Sequence, residues 1–311
     1  MPTLSSVTPV DGTPEILESG AGDGARARTR VTVTEDSEKV FVGHYPGFPI
    51  FPGVCIVEYV HRSALATFPE PGEDWSLAAV ESTRFLSPVF PGDTLTTEIT
   101  WTRRGDGWRC QAVAGTERGP SAKVRLRYAT EPAAWTGEPP VSPPAVETAA
   151  APLTSEAIKR ILPHRYPMLL VDRVEALVPG ERLTAVKSVS CNEPWYQALP
   201  DKAAAADYHY PETLLIESWC QSAGVLVAHD TPNPDVLAGQ VMLFGAISDV
   251  DHLRPVRPGD VVEHRVRLVR ALRDTMFVEG ESLVAGEPVM RVGSVVMAMR
   301  PAEELTGRPT A

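Results

Sequence analysis

A nine-residue stretch of this chain recurs, with six of its positions identical. Phe85-Leu86-Ser87-Pro88-Val89-Phe90-Pro91-Gly92-Asp93 is matched in the second half by His252-Leu253-Arg254-Pro255-Val256-Arg257-Pro258-Gly259-Asp260. An apolar, helix-like stretch precedes each copy: Val54 to Leu65 in the first half and Leu214 to Leu226 in the second. A unit this long is not the 20–50-residue repeat of a solenoid. It implies that one domain has been duplicated. Each copy reads as one helix followed by a run of strands, which is an α+β pattern.

The order of elements supports that division. Residues 1–25 are rich in Thr, Ser, Gly and Pro and read as a loose arm. Alternating β-branched residues over 27–34 predict a strand. From Leu77 to Tyr128 several strands are expected, with a hairpin turn at Arg103-Arg104-Gly105-Asp106-Gly107. The first domain is therefore placed at residues 26–130. Residues 131–152 carry Pro139-Pro140, Pro143-Pro144 and an alanine-rich run without apolar period, and read as an extended linker. The second domain, 153–311, opens with a short helix over Ser155–Leu162. Strands are expected at Met168–Ala176 and Arg182–Ser190, a long helix at Glu212–Asp230, and further strands from Met242 to Met299.

The formal net charge of −11 argues against general nucleic-acid binding, which needs a basic face. Cys55, Cys110, Cys191 and Cys220 contain no CxxC pair and read as reduced thiols of a cytoplasmic protein, without a metal site. No apolar run approaches the roughly 18 residues of a membrane span, and the N-terminus does not read as a signal peptide.

The stretch from Gly43 to Glu58 is where chemistry is expected. Pro46, Pro49 and Pro52 stiffen a non-helical loop around His44, and Pro52-Gly53 opens the first apolar helix. Glu58 lies on that helix, fourteen residues after His44. A buried carboxylate is costly without a partner or a task. A helix N-terminus beside a histidine is suited to hold a developing negative charge.

Three stretches of the second half stand out: Ile158-Lys159-Arg160-Ile161-Leu162-Pro163-His164-Arg165-Tyr166-Pro167-Met168-Leu169-Leu170-Val171-Asp172-Arg173-Val174, Asn192 to Gln197, and Leu214 to Gly224. In them the second half resembles the 3-hydroxyacyl-acyl-carrier-protein dehydratases of the FabZ type. The first half lacks that opening signature but carries the family's histidine loop, His44 through Glu58. The resemblance implies a double hotdog: two antiparallel curved sheets, each wrapping a long central helix. It implies dehydration of 3-hydroxyacyl thioesters to 2-enoyl thioesters, in fatty-acid or, more in keeping with the fusion, polyketide and other secondary-metabolite synthesis. In the family the histidine comes from one unit and the acid from the helix of the facing unit.

Carried over residue by residue, His44 is the base and Gly53 the oxyanion donor. Glu217 becomes the acid, its pKa raised by burial, and Gln221 its orienting partner. The second half has no loop histidine, since the segment from Leu199 to Asp207 is alanine-rich and Glu212 stands where Gly53 stands in the first half. Glu58 and Arg62 are then the remains of a second, degenerate site and are expected to form an ion pair, with His209 as a candidate replacement histidine. His164 is expected to be structural. No metal or cofactor is implied, the acyl group arriving on the phosphopantetheine of an acyl carrier protein. Arg254, Arg257 and Arg265 are candidates for docking that acidic partner. A homodimer, or a complex with a ketosynthase or a second dehydratase, is compatible with this reading. A hotdog thioesterase and a non-catalytic partner subunit of a dehydratase are the competing assignments.

Overall fold

A computed structural model describes residues 4–34, 39–70, 75–131, 152–237 and 239–301. The first half contains β1 (Glu15–Ser19), β2 (Arg26–Thr32), α1 (Gly53–Ala66), β3 (Ser76–Phe85), β4 (Thr94–Arg104), β5 (Gly107–Thr116) and β6 (Gly119–Ala129). The second contains β7 (Leu153–Thr154), α2 (Ser155–Ile161), β8 (Arg173–Val178), β9 (Arg182–Ser188), α3 (Glu212–Ala228), β10 (Gln240–His252), β11 (Val261–Leu272), β12 (Thr275–Val284) and β13 (Glu287–Pro301). All strand pairs are antiparallel.

The strands follow the order β1-β2-β4-β5-β6-β3-β10-β13-β12-β11-β9-β8-β7. Read outward from the β3–β10 junction, the second half repeats the first strand for strand, with β7 added at its edge. The two curved sheets thus run together, with Arg84 opposite Ala246 and Ala79 opposite Asp251 at the seam. The central helices α1 and α3 pack against each other, each also lying on the strands of its own half. Both are apolar nearly all round, so each must be covered on every side. Val54, Ile56, Val57, Val60, Leu214, Leu215, Ile216 and Leu226 all belong to one core shared by the two halves.

The repeated nonapeptide does the same work twice. In the first copy the Phe51 amide donates to the Val89 carbonyl (2.8 Å), and in the second the Tyr210 amide donates to Val256 (2.7 Å). Asp93 Oδ2 accepts from the Phe90 amide (2.7 Å), as Asp260 Oδ2 does from Arg257 (2.8 Å). Gly92 bonds Val33 and Gly259 bonds Val189, closing the same turn. The motif therefore anchors, in each half, the loop that leads into the central helix.

Two expectations need correction. The arm over residues 1–25 is not loose where it is described: β1 pairs with β2, and Val7 and Val10 are each only 2% exposed. The apolar surface of α1 needs cover there, and Arg62 Nη1 donates to the Ser5 carbonyl at 2.9 Å. The strand expected from Met168 begins only at Arg173. Met168 O accepts from Gln221 Nε2 (2.7 Å), Gln221 Oε1 accepts from the Leu170 amide (2.9 Å), and Leu170 O accepts from Ser218 Oγ (2.7 Å). These α3 side chains satisfy the backbone that a strand would otherwise pair. The linker expected at 131–152 falls almost wholly outside the described residues.

Replacing Val10 with Asp should release the arm from α1. Removing one buried valine from the core costs about 2–3 kcal/mol, and the buried charge adds to it. A lower urea midpoint with an unchanged m-value is the expected result in equilibrium unfolding.

Candidate active site

The loop into α1 has almost no freedom. The His44 amide donates to Val40 O (2.9 Å), Phe48 N–H to Tyr45 O (2.9 Å), and Phe51 N–H to Val89 O. Gly43 is required by a contact with the other half: a Cβ there would stand 2.3 Å from the Arg165 carbonyl oxygen. The Arg165 amide in turn donates to the Gly43 carbonyl at 2.7 Å. The histidine loop of the first half is thereby clamped to the Pro163–Met168 segment of the second.

His44, His164 and Glu217 meet across this junction, with donor atoms within 4.8 Å of one another. Among the described residues this is the one such cluster of three His, Cys, Asp or Glu side chains, and it reads as a set of proton-transfer groups. His44 Nδ1 lies 3.2 Å from the Ile50 carbonyl. A carbonyl only accepts, so Nδ1 carries the hydrogen and Nε2 keeps its lone pair. The ring stacks on Tyr45 at 4.1 Å between centroids and meets the His164 ring edge-on at 5.3 Å. Tyr45 is held in turn by donating to Met242 O (3.2 Å). Glu217 Oε1 accepts from Gln221 Nε2 at 2.9 Å and stands 3.4 Å from His164 Nε2. Gln221, one turn on, is bonded on both ends to the Met168–Leu170 backbone, so it fixes the carboxylate rather than moving with it.

His44, His164 and Glu217 line a cavity of about 410 Å³ with Tyr45, Gly53, Ile56, Phe85, Phe244 and other mostly apolar side chains; Arg300 is among its lining residues. Gly53 is the first residue of α1, where backbone amides lack intrahelical acceptors. A Cβ on Gly53 would stand 2.7 Å from the Phe85 ring, so the position needs glycine for packing as well as for close approach to a ligand.

Burial sets the charge states. Desolvation lowers the His44 pKa to about 4, assisted by neighbouring His164, so the ring is neutral at ordinary pH. Glu217 departs from expectation. Burial alone would raise its pKa, but the donors His164 and Gln221 and the nearby His44 outweigh it, and the pKa lies below the usual value. The carboxyl is an ionised acceptor at neutral pH, not a resting acid.

The degenerate site is built differently. Glu58 and Glu217 are each the sixth residue of their helix, and Arg62 and Gln221 each the tenth. Among the described residues, Glu58 and Arg62 do not pair with each other as expected. Glu58 accepts from Thr8 Oγ1 (3.0 Å) and Thr213 Oγ1 (2.8 Å), while Arg62 bonds the arm at Ser5. Both Glu58 oxygens are thus occupied. Glu212 fills the place of Gly53, its pKa raised to about 7 by burial and the adjacent Glu58. His209 turns to Arg257, whose Nη2 donates to its Nε2 at 3.0 Å.

The arginines expected to dock a partner are already engaged. Arg265 is paired with Glu263 (2.6 Å) and Glu281 (3.4 Å), with its side chain only 17% exposed. Arg254 donates to the carbonyls of Pro288 and Glu287. Arg254 and Arg257 lie on the nonapeptide, which the Tyr210 amide ties to the loop leading into α3 through the Val256 carbonyl. The sequence reading missed His164 as a member of the site. The signal was present in Pro163-His164-Arg165, but nothing in one dimension places it against Glu217.

Residues 20–118 match the ApeI dehydratase family and residues 162–293 the FabA-like domain. The 3-hydroxyacyl-[acyl-carrier-protein] dehydratase FabZ of Oleidesulfovibrio alaskensis is 40% identical over 128 residues, 41% of this chain and 79% of that protein. FabZ of Magnetococcus marinus is 36% identical over 149 residues, 48% of this chain and 92% of that protein. The dehydratase domain from the CurJ module of curacin polyketide synthase superposes with a TM-score of 0.63 at 11% identity, covering 97% of this chain and 99% of that one. A bifunctional dehydratase-cyclase domain of ambruticin biosynthesis gives 0.59 at 19% identity, over 95% and 98%. These structural likenesses show the fold, and they span both halves of the chain. Identity at this level over most of each FabZ protein, with hotdog units in both halves, makes this chain a tandem double-hotdog member of the FabZ/FabA-like dehydratase family.

Proposed function

We propose that the cavity between the halves removes water from 3-hydroxyacyl thioesters to give trans-2-enoyl thioesters, with His44 and Glu217 as the catalytic pair. The carrying observation is His44, its Nδ1 bonded to Ile50 O, set beside Glu217 in a mostly apolar cavity bordered by the first residue of α1. His44 Nε2 takes the proton from C2, which a base must be positioned to remove. Charge builds on the thioester oxygen, and the Gly53 amide at the helix N-terminus is suited to receive it. Glu217 accepts a hydrogen bond from the 3-hydroxyl and stabilises the imidazolium as it forms. The C3–O bond breaks, the C2=C3 bond forms, and the proton taken from C2 leaves with the hydroxyl as water. The elimination is redox-neutral, and the side chains account for each proton.

The substrate is carried, in this reading, on the phosphopantetheine arm of an acyl carrier protein. The FabZ relatives are named for acyl-carrier-protein substrates and the structural neighbours include polyketide synthase domains, which supports a place in fatty-acid or polyketide synthesis. Arg300, among the cavity's lining residues, is a better-placed cation for such an arm than Arg254, Arg257 or Arg265.

Turnover of 3-hydroxyacyl carrier protein by purified protein tests the assignment. His44→Ala and Glu217→Gln should each reduce kcat by about 10²-fold or more. Glu58→Gln should stay within about threefold of the parent. Free thiol released without enoyl product would favour the thioesterase instead, and no turnover of either kind would favour a partner subunit.

The pH dependence follows from His44. Its neutral form is the active one, and its pKa is depressed to about 4. Activity should therefore persist as pH falls to about 5 and decline only towards 4, in contrast to an unperturbed histidine near 6.5.

A further inference from the structure

We propose that His164 is a positioning residue for the reaction, which fixes the Glu217 carboxylate and holds it in its ionised form. This rests on the dehydratase reading above and assigns a role to a residue outside both the histidine loop and the central helices. His164 is 5% exposed, and its Nε2 lies 3.4 Å from Glu217 Oε1. Its Nδ1 is buried and meets no hydrogen-bond partner among the described residues. An orphaned lone pair costs less there than an orphaned N–H, so the hydrogen sits on Nε2, on the side of Glu217.

The ring cannot turn away easily. It packs edge-on against His44 at 5.3 Å and Tyr45 at 5.5 Å. Its backbone is gripped by the neighbouring guanidinium, since Arg165 Nη1 donates to the carbonyls of Leu162, Pro163 and His164. The Arg165 amide ties the same segment to the histidine loop through Gly43. The duplicated half offers an independent parallel: Thr8, on the segment preceding the first strand there, donates to the matching carboxylate of Glu58. In both halves the segment ahead of the matching strand, β1 or β8, supplies a donor to the helix glutamate, but in the second half that donor is an imidazole.

The groups facing Glu217 are His44 and Tyr45 from the loop, His164 from the segment, and Cys220 and Gln221 from its own helix. Without His164, burial is the largest remaining influence on the carboxyl and favours its protonated form. The acid limb of kcat/KM should then move to higher pH.

The experiment measures kcat, KM and the pH profile for His164→Leu and His164→Gln, with melting temperatures as a control. His164→Leu should lower kcat about 10- to 100-fold with KM within about threefold, and shift the acid limb upward. His164→Gln, whose amide can still donate, should recover part of the rate and return the limb towards the parent. Glutamate-labelled carbon-13 NMR of the parent and His164→Gln, assigned with Glu217→Gln, reads the carboxyl directly even if the leucine variant does not fold. An unmoved acid limb, or a uniform loss that glutamine does not rescue, overturns the proposal. Absence of enoyl product from the parent protein would instead overturn the dehydratase reading itself, and retained dehydration in His44→Ala and Glu217→Gln would overturn the catalytic pair.

Discussion

The antiparallel ladder between β3 and β10 is the interaction on which the rest depends. It joins the two copies of the domain edge to edge, from Arg84 opposite Ala246 to Ala79 opposite Asp251. With that seam in place, α1 and α3 lie against each other, and the loop before α1 reaches the segment before β8. The proposed catalytic groups, His44 and Glu217, come from opposite sides of this junction, so neither half holds both. A chain with both halves also removes the sheet edges that isolated units would expose to other strands.

Duplication provides two equivalent positions, and the structure shows how they diverged. Glu58 and Glu217 occupy the same place on their helices, yet their surroundings point to opposite ends. Glu217 has one oxygen held by Gln221 and faces a cavity with a free imidazole nitrogen. Glu58 has both oxygens occupied by threonine hydroxyls and faces no loop histidine, with Glu212 where a glycine would admit a ligand. The degenerate position is thus a structural joint between arm, α1 and α3. Its acid groups hold the halves together, where those of the other site are left unsatisfied enough to act.

The Glu217 carboxyl illustrates why burial alone does not decide an acid's role. Desolvation favours the neutral form, but three donors or potential cations around one carboxylate reverse the balance. The charge state therefore depends on which side chains the tertiary fold delivers to the carboxylate, not on its depth.

Much of this molecule is legible in one dimension. The repeated Pro–Gly–Asp motif, the two apolar helices and the strand runs specify a duplicated α+β fold, because periodicity and turn chemistry are local properties. His44 and Gly53 stand out for the same reason, since their loop is stiffened by nearby prolines. Pairing His44 with Glu217 instead of Glu58 rested on family resemblance, as the two are far apart along the chain. Only the tertiary structure decided that His164 faces Glu217, that the arm covers α1, and that Arg265 spends its charge on Glu263 and Glu281. Each of these depends on contacts across strands and halves, and the sequence records which side chains are present but not which of them meet.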